Sequence, residues 1–309
     1  MTSKTVPVIG KSTYFYDVIT GITGLALGNY GEITIDPKGN KVIKIYDKAK
    51  RLVEVRDGNN KTTYTYYNNG SLKEVTLPNN FKESYEYYSD NKLKTLFNKD
   101  ANGNVIEQYT YTYDNAKNLL SKVDPKGTTT YTYDSMNRLW TVTEPGQRKT
   151  TYTYDGAGNR DSEVIVKDGI TTINQSTYDG SNRLLMIKEE IAGVLAQDTD
   201  YTYDNNGNQL TSTITNYQGT ITKSTTSYRY DALNQMIGTT TSAGLEITYG
   251  YNGEGLRVLK TSNGKTVRYL YEGDKVILEV DGNGVEKARS VNGINQISRT
   301  IAGEVLYYF

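Results

Sequence analysis

The sequence Tyr-x-Tyr-Asp, followed by a turn rich in Gly or Asn, recurs along most of this 309-residue chain and restricts the fold more than any other property. Clear copies run Tyr111-Thr112-Tyr113-Asp114, Tyr131-Thr132-Tyr133-Asp134, Tyr152-Thr153-Tyr154-Asp155 and Tyr201-Thr202-Tyr203-Asp204. Tyr228-Arg229-Tyr230-Asp231 departs by one residue. Looser copies begin at Tyr64, Tyr85, Tyr249 and Tyr269, and one copy, ending in Tyr178-Asp179, lacks the first tyrosine. The second tyrosines (Tyr66, Tyr87, Tyr113, Tyr133, Tyr154, Tyr178, Tyr203, Tyr230, Tyr251 and Tyr271) are 20 to 27 residues apart. A period in the twenties marks stacked supersecondary units, none of which buries its apolar face alone.

One unit, residues 119–140, shows how the pattern reads. Asp124-Pro125-Lys126-Gly127 is a tight turn, and Asp134-Ser135-Met136-Asn137 is a second whose side chains can bond the turn backbone. Between them lies a run of Thr and Tyr, both strand formers. The unit is therefore strand, turn, strand, turn, and the chain an all-β antiparallel meander of about 20 strands. No helix is expected; 187–197, interrupted by Gly193, reads as strand, turn, strand. Alternation puts both tyrosines of a unit on one face and the intervening residue on the other. The tyrosines are expected to pack on residues of the returning strand such as Leu119, Leu139, Leu184 and Leu210. Length variation is expected mainly in the turns between units. Tyr30, Tyr46, Tyr217, Tyr307 and Tyr308 fall outside the ten-copy register.

Composition removes several functions. The chain has no Cys and no His, hence no disulfide, thiolate nucleophile, imidazole base, Ser-His-Asp triad or His/Cys metal site. Lys plus Arg and Asp plus Glu both number 35, leaving no basic excess for nucleic acid. No run of 18 apolar residues suggests a membrane span, and no signal peptide is visible. Of the apolar residues, 29 are tyrosine, whose ring wants burial while its hydroxyl wants a partner. The aspartates Asp114, Asp134, Asp155, Asp179, Asp204 and Asp231 recur at one position of successive units, as turn caps would. A catalytic centre would be singular. The expectation is a chain that is not an enzyme and has no cofactor or metal. The tyrosine rows could also stack against sugar rings or extended peptides.

YTYDNNGNQL and its siblings resemble the YD repeats of bacterial Rhs proteins, of insecticidal toxin-complex shell components and of animal teneurins. The resemblance covers about residues 31–309. It implies a sheet that spirals into a β-shell, which in the bacterial members encloses a C-terminal toxic polypeptide. It also implies a secreted or cell-surface location, with other segments of the parent protein and its C-terminal cargo as partners. The stretch from Tyr269 to Phe309 resembles the end of the family's core region. The family's self-cleavage motif, Asp-Pro-x-Gly-Trp, has only the partial matches Asp36-Pro37-Lys38-Gly39 and Asp124-Pro125-Lys126-Gly127, which read as turns.

The resulting expectation has three parts: residues 1–30 as an irregular lead-in or cap, 31–271 as the repeat array, and 272–309 as degenerate C-terminal repeats. The array would form an open, curved strip, a non-catalytic scaffold of an exported toxin-delivery protein. Its exposed end strands would allow edge-to-edge self-association. The alternative is an adhesin-like surface module that binds carbohydrate or a cell-surface protein through a tyrosine-rich face.

Overall fold

A computed structural model describes residues 1–6 and 8–308; Pro7, in the expected lead-in, and Phe309, at the end of the family-like tail, lie outside it. Among the described residues there are 28 strands and no helix, and the strands form one open antiparallel sheet. In the central array each strand pairs with the next in sequence, as from Leu119–Asp124 to Gly127–Tyr133 to Leu139–Thr143. This is the meander expected from the turn spacing. The turn at Ala192-Gly193 separates strands Leu184–Ile191 and Val194–Tyr203, in place of any helix.

Three features differ from expectation. Residues 1–30 are irregular only in part: Thr2–Val6 and Gly10–Val18 are paired strands, while 19–29 are turns and bends. The longer units gain their extra residues in the strands, which run 8 to 10 residues from Arg160–Lys167 to Thr222–Tyr230. The hairpins there stay tight, as at Asp168-Gly169, where both residues have positive φ, the geometry that matches strand twist. Finally, Tyr46 is in register after all. It stands at the same strand-end irregularity as the other second tyrosines and precedes Asp47, so Lys44 to Asp47 form a further copy lacking its first tyrosine.

The chain divides into two compact units. The first comprises residues 1–108, 252–260 and 265–309 and contains both clusters of buried apolar side chains. In one cluster Leu52, Val55, Tyr64, Val75 and Leu77 from early strands meet Val291 and Ile297 from late ones. In the other, Ile9 packs with Leu270, Ile277, Leu278 and Val280. Polar contacts tie the same layers. Arg289 donates to both carboxylate oxygens of Asp57, at 2.9 and 2.5 Å, and Glu272 accepts from Thr34 and Lys44. A two-layer arrangement of this kind is what burying an apolar sheet face requires.

The second unit, residues 109–251 with 261–264, has a different economy. Its buried residues are mostly small and polar: Thr141, Thr150, Ser162, Thr199 and Ala196. Leu120, Trp140, Leu185 and Leu210 remain 38–51% exposed. Its strands are therefore held mainly by ladder hydrogen bonds and cross-strand side-chain pairs.

Truncating Leu278, fully buried in the first unit, should cost roughly 2–5 kcal/mol. Leu120→Ala in the second should cost under about 1 kcal/mol. Equilibrium denaturation of the two variants checks this; equal losses would contradict the division into a cored and an uncored unit.

Candidate functional site

The recurring residues form a series, and their geometry is nearly invariant. In every well-formed copy the register slips by one residue just before the second tyrosine. Thr132 faces Thr141 while Tyr133 faces Leu139, so Trp140 is the extra residue of a β-bulge. The same slip precedes Tyr113, Tyr154, Tyr178, Tyr203 and Tyr230. It places Leu120, Trp140, Leu185 and Leu210 at the extra position, which explains their exposure. Leu210 therefore does not pack beneath a tyrosine as expected; the returning strand there opens one residue earlier, with Gln209 opposite Tyr203.

A bulge disrupts the local ladder, and the second tyrosine of the following unit bonds the backbone at that point. Tyr133 donates to the Leu119 carbonyl at 2.9 Å, Tyr154 to Leu139 at 2.7 Å, Tyr203 to Leu184 at 2.7 Å and Tyr251 to Met236 at 2.9 Å. Tyr66, Tyr178 and Tyr271 repeat the bond to Leu52, Arg160 and Arg257. Each such bond is worth about 1 kcal/mol net and ties one unit to the next. The first tyrosines lie on the same half-buried face; burial raises the hydroxyl pKa of Tyr111, Tyr152 and Tyr201. On the opposite face, intervening threonines pair across strands, Thr132 with Thr141 and Thr202 with Thr211, both at 2.6 Å.

The aspartates cap turns. One carboxylate oxygen of Asp134 accepts the backbone N–H groups of Met136 and Arg138, and the other accepts Arg138 Nε at 2.7 Å. Asp155, Asp179 and Asp204 repeat this with Asn159, Arg183 and Asn208. Asp114 does so toward Asn118, and Asp231 takes the N–H groups of Leu233 and Gln235. Sequence reasoning overlooked two parts of this device. The residue four after the aspartate links units: Arg138 and Arg183 bond their own aspartate and lie 4.4 and 5.1 Å over the rings of Tyr154 and Tyr203. Asn118, Asn159 and Asn208 instead donate to Asn137, Asn182 and Asn234 of the next turn. Their regular appearance as Asn or Arg in that place was the available signal. Asp36, Asp47, Asp100 and Asp281 also cap turns in the same way, though they lie outside the clear copies.

The motif residues thus lie along a series of units and are not gathered at one point. No group of three or more acidic side chains placed to hold a metal exists among the described residues. Four copies depart from the aspartate: Asn252 caps its turn in the same way, Glu272 accepts instead from Thr34 and Lys44, and Tyr67 and Tyr88 fall in consecutive units. At Tyr67 and Tyr88 the turn keeps its backbone bonds, but tyrosine replaces aspartate. Tyr66, Tyr67, Tyr87 and Tyr88 there line an open groove of about 860 Å³ with Asn68, Asn69, Glu86, Lys73 and Lys94.

The RHS repeat family matches residues 113–149, covering the bulge, the latch and two capped turns. The chain is 28% identical over 280 residues to the tRNA nuclease WapA of Bacillus subtilis (strain 168), covering 89% of this chain and 11% of that protein. It is 29% identical over 259 residues to the tRNA(Glu)-specific nuclease WapA of Bacillus subtilis subsp. natto (strain BEST195), covering 82% and 10%. A crystal structure of TcdB2-TccC3 aligns over 85% of this chain and 18% of that one, at 14% identity and a TM-score of 0.40. The chain thus spans about a ninth of the length of the WapA relatives. The RHS-repeat match agrees with the resemblance carried by the Tyr-x-Tyr-Asp motifs.

Hydrogen bonds from the turn hold the carboxyls of Asp134 and Asp179 below the usual range, led by the backbone N–H of Arg138 and Arg183. In Asp155 and Asp204 the leading donors are the side-chain amides of Asn159 and Asn208. Groups with depressed folded pKa values stabilise the fold above their unfolded value of about 3.9, and the contribution is lost as pH falls through the lower folded values. Thermal melting should hold from pH 7 to about 5 and decline below about 4. A melting temperature unchanged down to pH 2 would contradict the capping role.

Proposed function

We propose that this chain is a non-catalytic wall segment of a larger RHS-repeat shell, belonging to an exported toxin-delivery protein. The observation that carries this reading is how the repeated polar groups are used. Tyrosine hydroxyls go to bulge carbonyls and aspartates to turn N–H groups, unit after unit, so the motif residues are committed to building a wall. A nucleophile or general base needs a side chain held for chemistry rather than for the backbone.

The WapA relatives support the same reading. They are named as tRNA nucleases, yet the matched part is 10–11% of their length. In this proposal the nuclease centre of such a protein lies outside the matched part, and the repeat segment holds or delivers it. The partners are neighbouring segments of the parent protein and its toxic cargo, and the location is extracellular or on the cell surface. A second reading, a surface module that binds carbohydrate, is favoured by the tyrosine-lined groove at Tyr67 and Tyr88.

The purified chain should leave total tRNA intact in a gel assay under conditions where a full-length WapA nuclease degrades it. Cleavage by the chain alone that disappears on replacing a pair of its carboxylates would overturn the non-catalytic reading.

A further inference from the structure

Between strands Gly10–Val18 and Tyr30–Ile35 the chain makes a loop, residues 19–29, that lies outside the repeat. In a chain with 23% charged residues, the stretch 18–31 carries none and consists mainly of Gly, Thr and aliphatic residues. The loop closes two tight turns, from Leu25 N–H to the Ile22 carbonyl and from Asn29 N–H to the Ala26 carbonyl, at 3.3 and 3.0 Å. Gly24 and Gly28 take the third place of these turns with φ of 70° and 83°, which a side chain would oppose. The loop is also anchored. Ile22 is buried and covers Gly31, where a Cβ would collide with it, and Arg56 donates to the Thr23 carbonyl at 2.6 Å.

What this frame holds out to solvent is apolar. Leu27 is 95% exposed, more than any other large apolar side chain among the described residues, and Ile19 is 71% exposed. Cations stand beside them. Lys48 lies against Gly28, and Lys48 and Lys50, both exposed on the turn 47–51, have no ion-pair partner among the described residues. The carboxylate of that turn, Asp47, is taken up by Arg51 and by turn N–H groups. Asp17, at the loop entrance, sets one exposed carboxylate against the two ammonium groups.

We propose that this loop docks on an anionic lipid bilayer. Leu27 and Ile19 enter the boundary between headgroups and acyl chains, and Lys48 and Lys50 meet the headgroups. Aliphatic tips gain by leaving water, and ammonium groups beside them gain from the negative surface. The two tight turns satisfy part of the loop backbone internally, which immersion in an apolar layer requires. A protein partner fits less well, because the centres of protein interfaces favour aromatic side chains and Arg and are poor in Lys. Two side chains give peripheral, reversible attachment. The inference rests on the first unit alone and is independent of whether the array is a shell wall.

Flotation of the purified chain with vesicles tests this. Vesicles of phosphatidylcholine with phosphatidylserine should bind it about tenfold more tightly than phosphatidylcholine alone, and added salt should reduce the difference. The variant I19D/L27D should lose binding to both vesicle types and, since both side chains are exposed, melt like the parent. K48E/K50E should lose the preference for anionic vesicles. Because the chain has no cysteine, Leu27→Cys accepts a single environment-sensitive fluorophore. Its emission should shift to the blue on anionic vesicles, whereas the same label at Leu233→Cys, on an exposed turn of the second unit, should not respond. Absence of flotation with anionic vesicles would overturn the proposal. So would flotation of I19D/L27D equal to the parent, an anionic preference kept by K48E/K50E, or an unshifted label at position 27. A dimer seen by light scattering without lipid and lost in I19D/L27D would make a second copy the occupant, and would overturn it too.

Discussion

A sheet with little apolar cover on either face cannot rely on a hydrophobic core, so its stability must come from bonds between neighbouring strands. In the second unit that requirement falls on the second tyrosine of each repeat. Each bulge disrupts the ladder, and at Leu119, Leu139, Arg160, Leu184 and Met236 a tyrosine hydroxyl of the following unit bonds the carbonyl at the strand opening. Tyrosine suits the position because its ring covers the half-buried face while its hydroxyl reaches the backbone. Phenylalanine would cover the same face without making the bond. The array therefore behaves as a one-dimensional chain of near-equal couplings between neighbours.

The first unit answers the same problem differently. Its early and late strands bury Leu278, Val280 and Leu270 almost completely and hold Arg289 against Asp57. The charges there are partly buried and mutually bonded, so removing one partner would strand the other. The two units thus share a repeat yet differ in what holds them.

Much of this was legible in the sequence. The period gave the meander, Asp124-Pro125-Lys126-Gly127 gave its hairpin, and alternation gave the tyrosine face. The bulge was not legible, because a one-residue slip depends on how two strands pair and leaves only the choice of Leu or Trp at the extra position. For the same reason Leu210 was placed on the wrong face. Residues 1–30 lacked the motif and so read as irregular, although Thr2–Val6 and Gly10–Val18 have strand alternation of their own. The role of Arg138 and Arg183 was hidden for another reason: their partner tyrosines, Tyr154 and Tyr203, lie 16 and 20 residues away and become neighbours only when the units stack. The groove was half legible: Tyr67 and Tyr88 stand in the sequence where the clear copies have aspartate, but their meeting with Lys73 and Lys94 needed the register.

The central claim is that the latch from tyrosine hydroxyl to bulge carbonyl couples the units. The most direct measurement is equilibrium unfolding of Tyr133→Phe, Tyr203→Phe and the double variant, which remove the hydroxyl and keep the ring. Each single change should cost about 1 kcal/mol, and the two, acting in separate units, should add. Single and double variants as stable as the parent chain would show that these hydroxyls do not hold the array together.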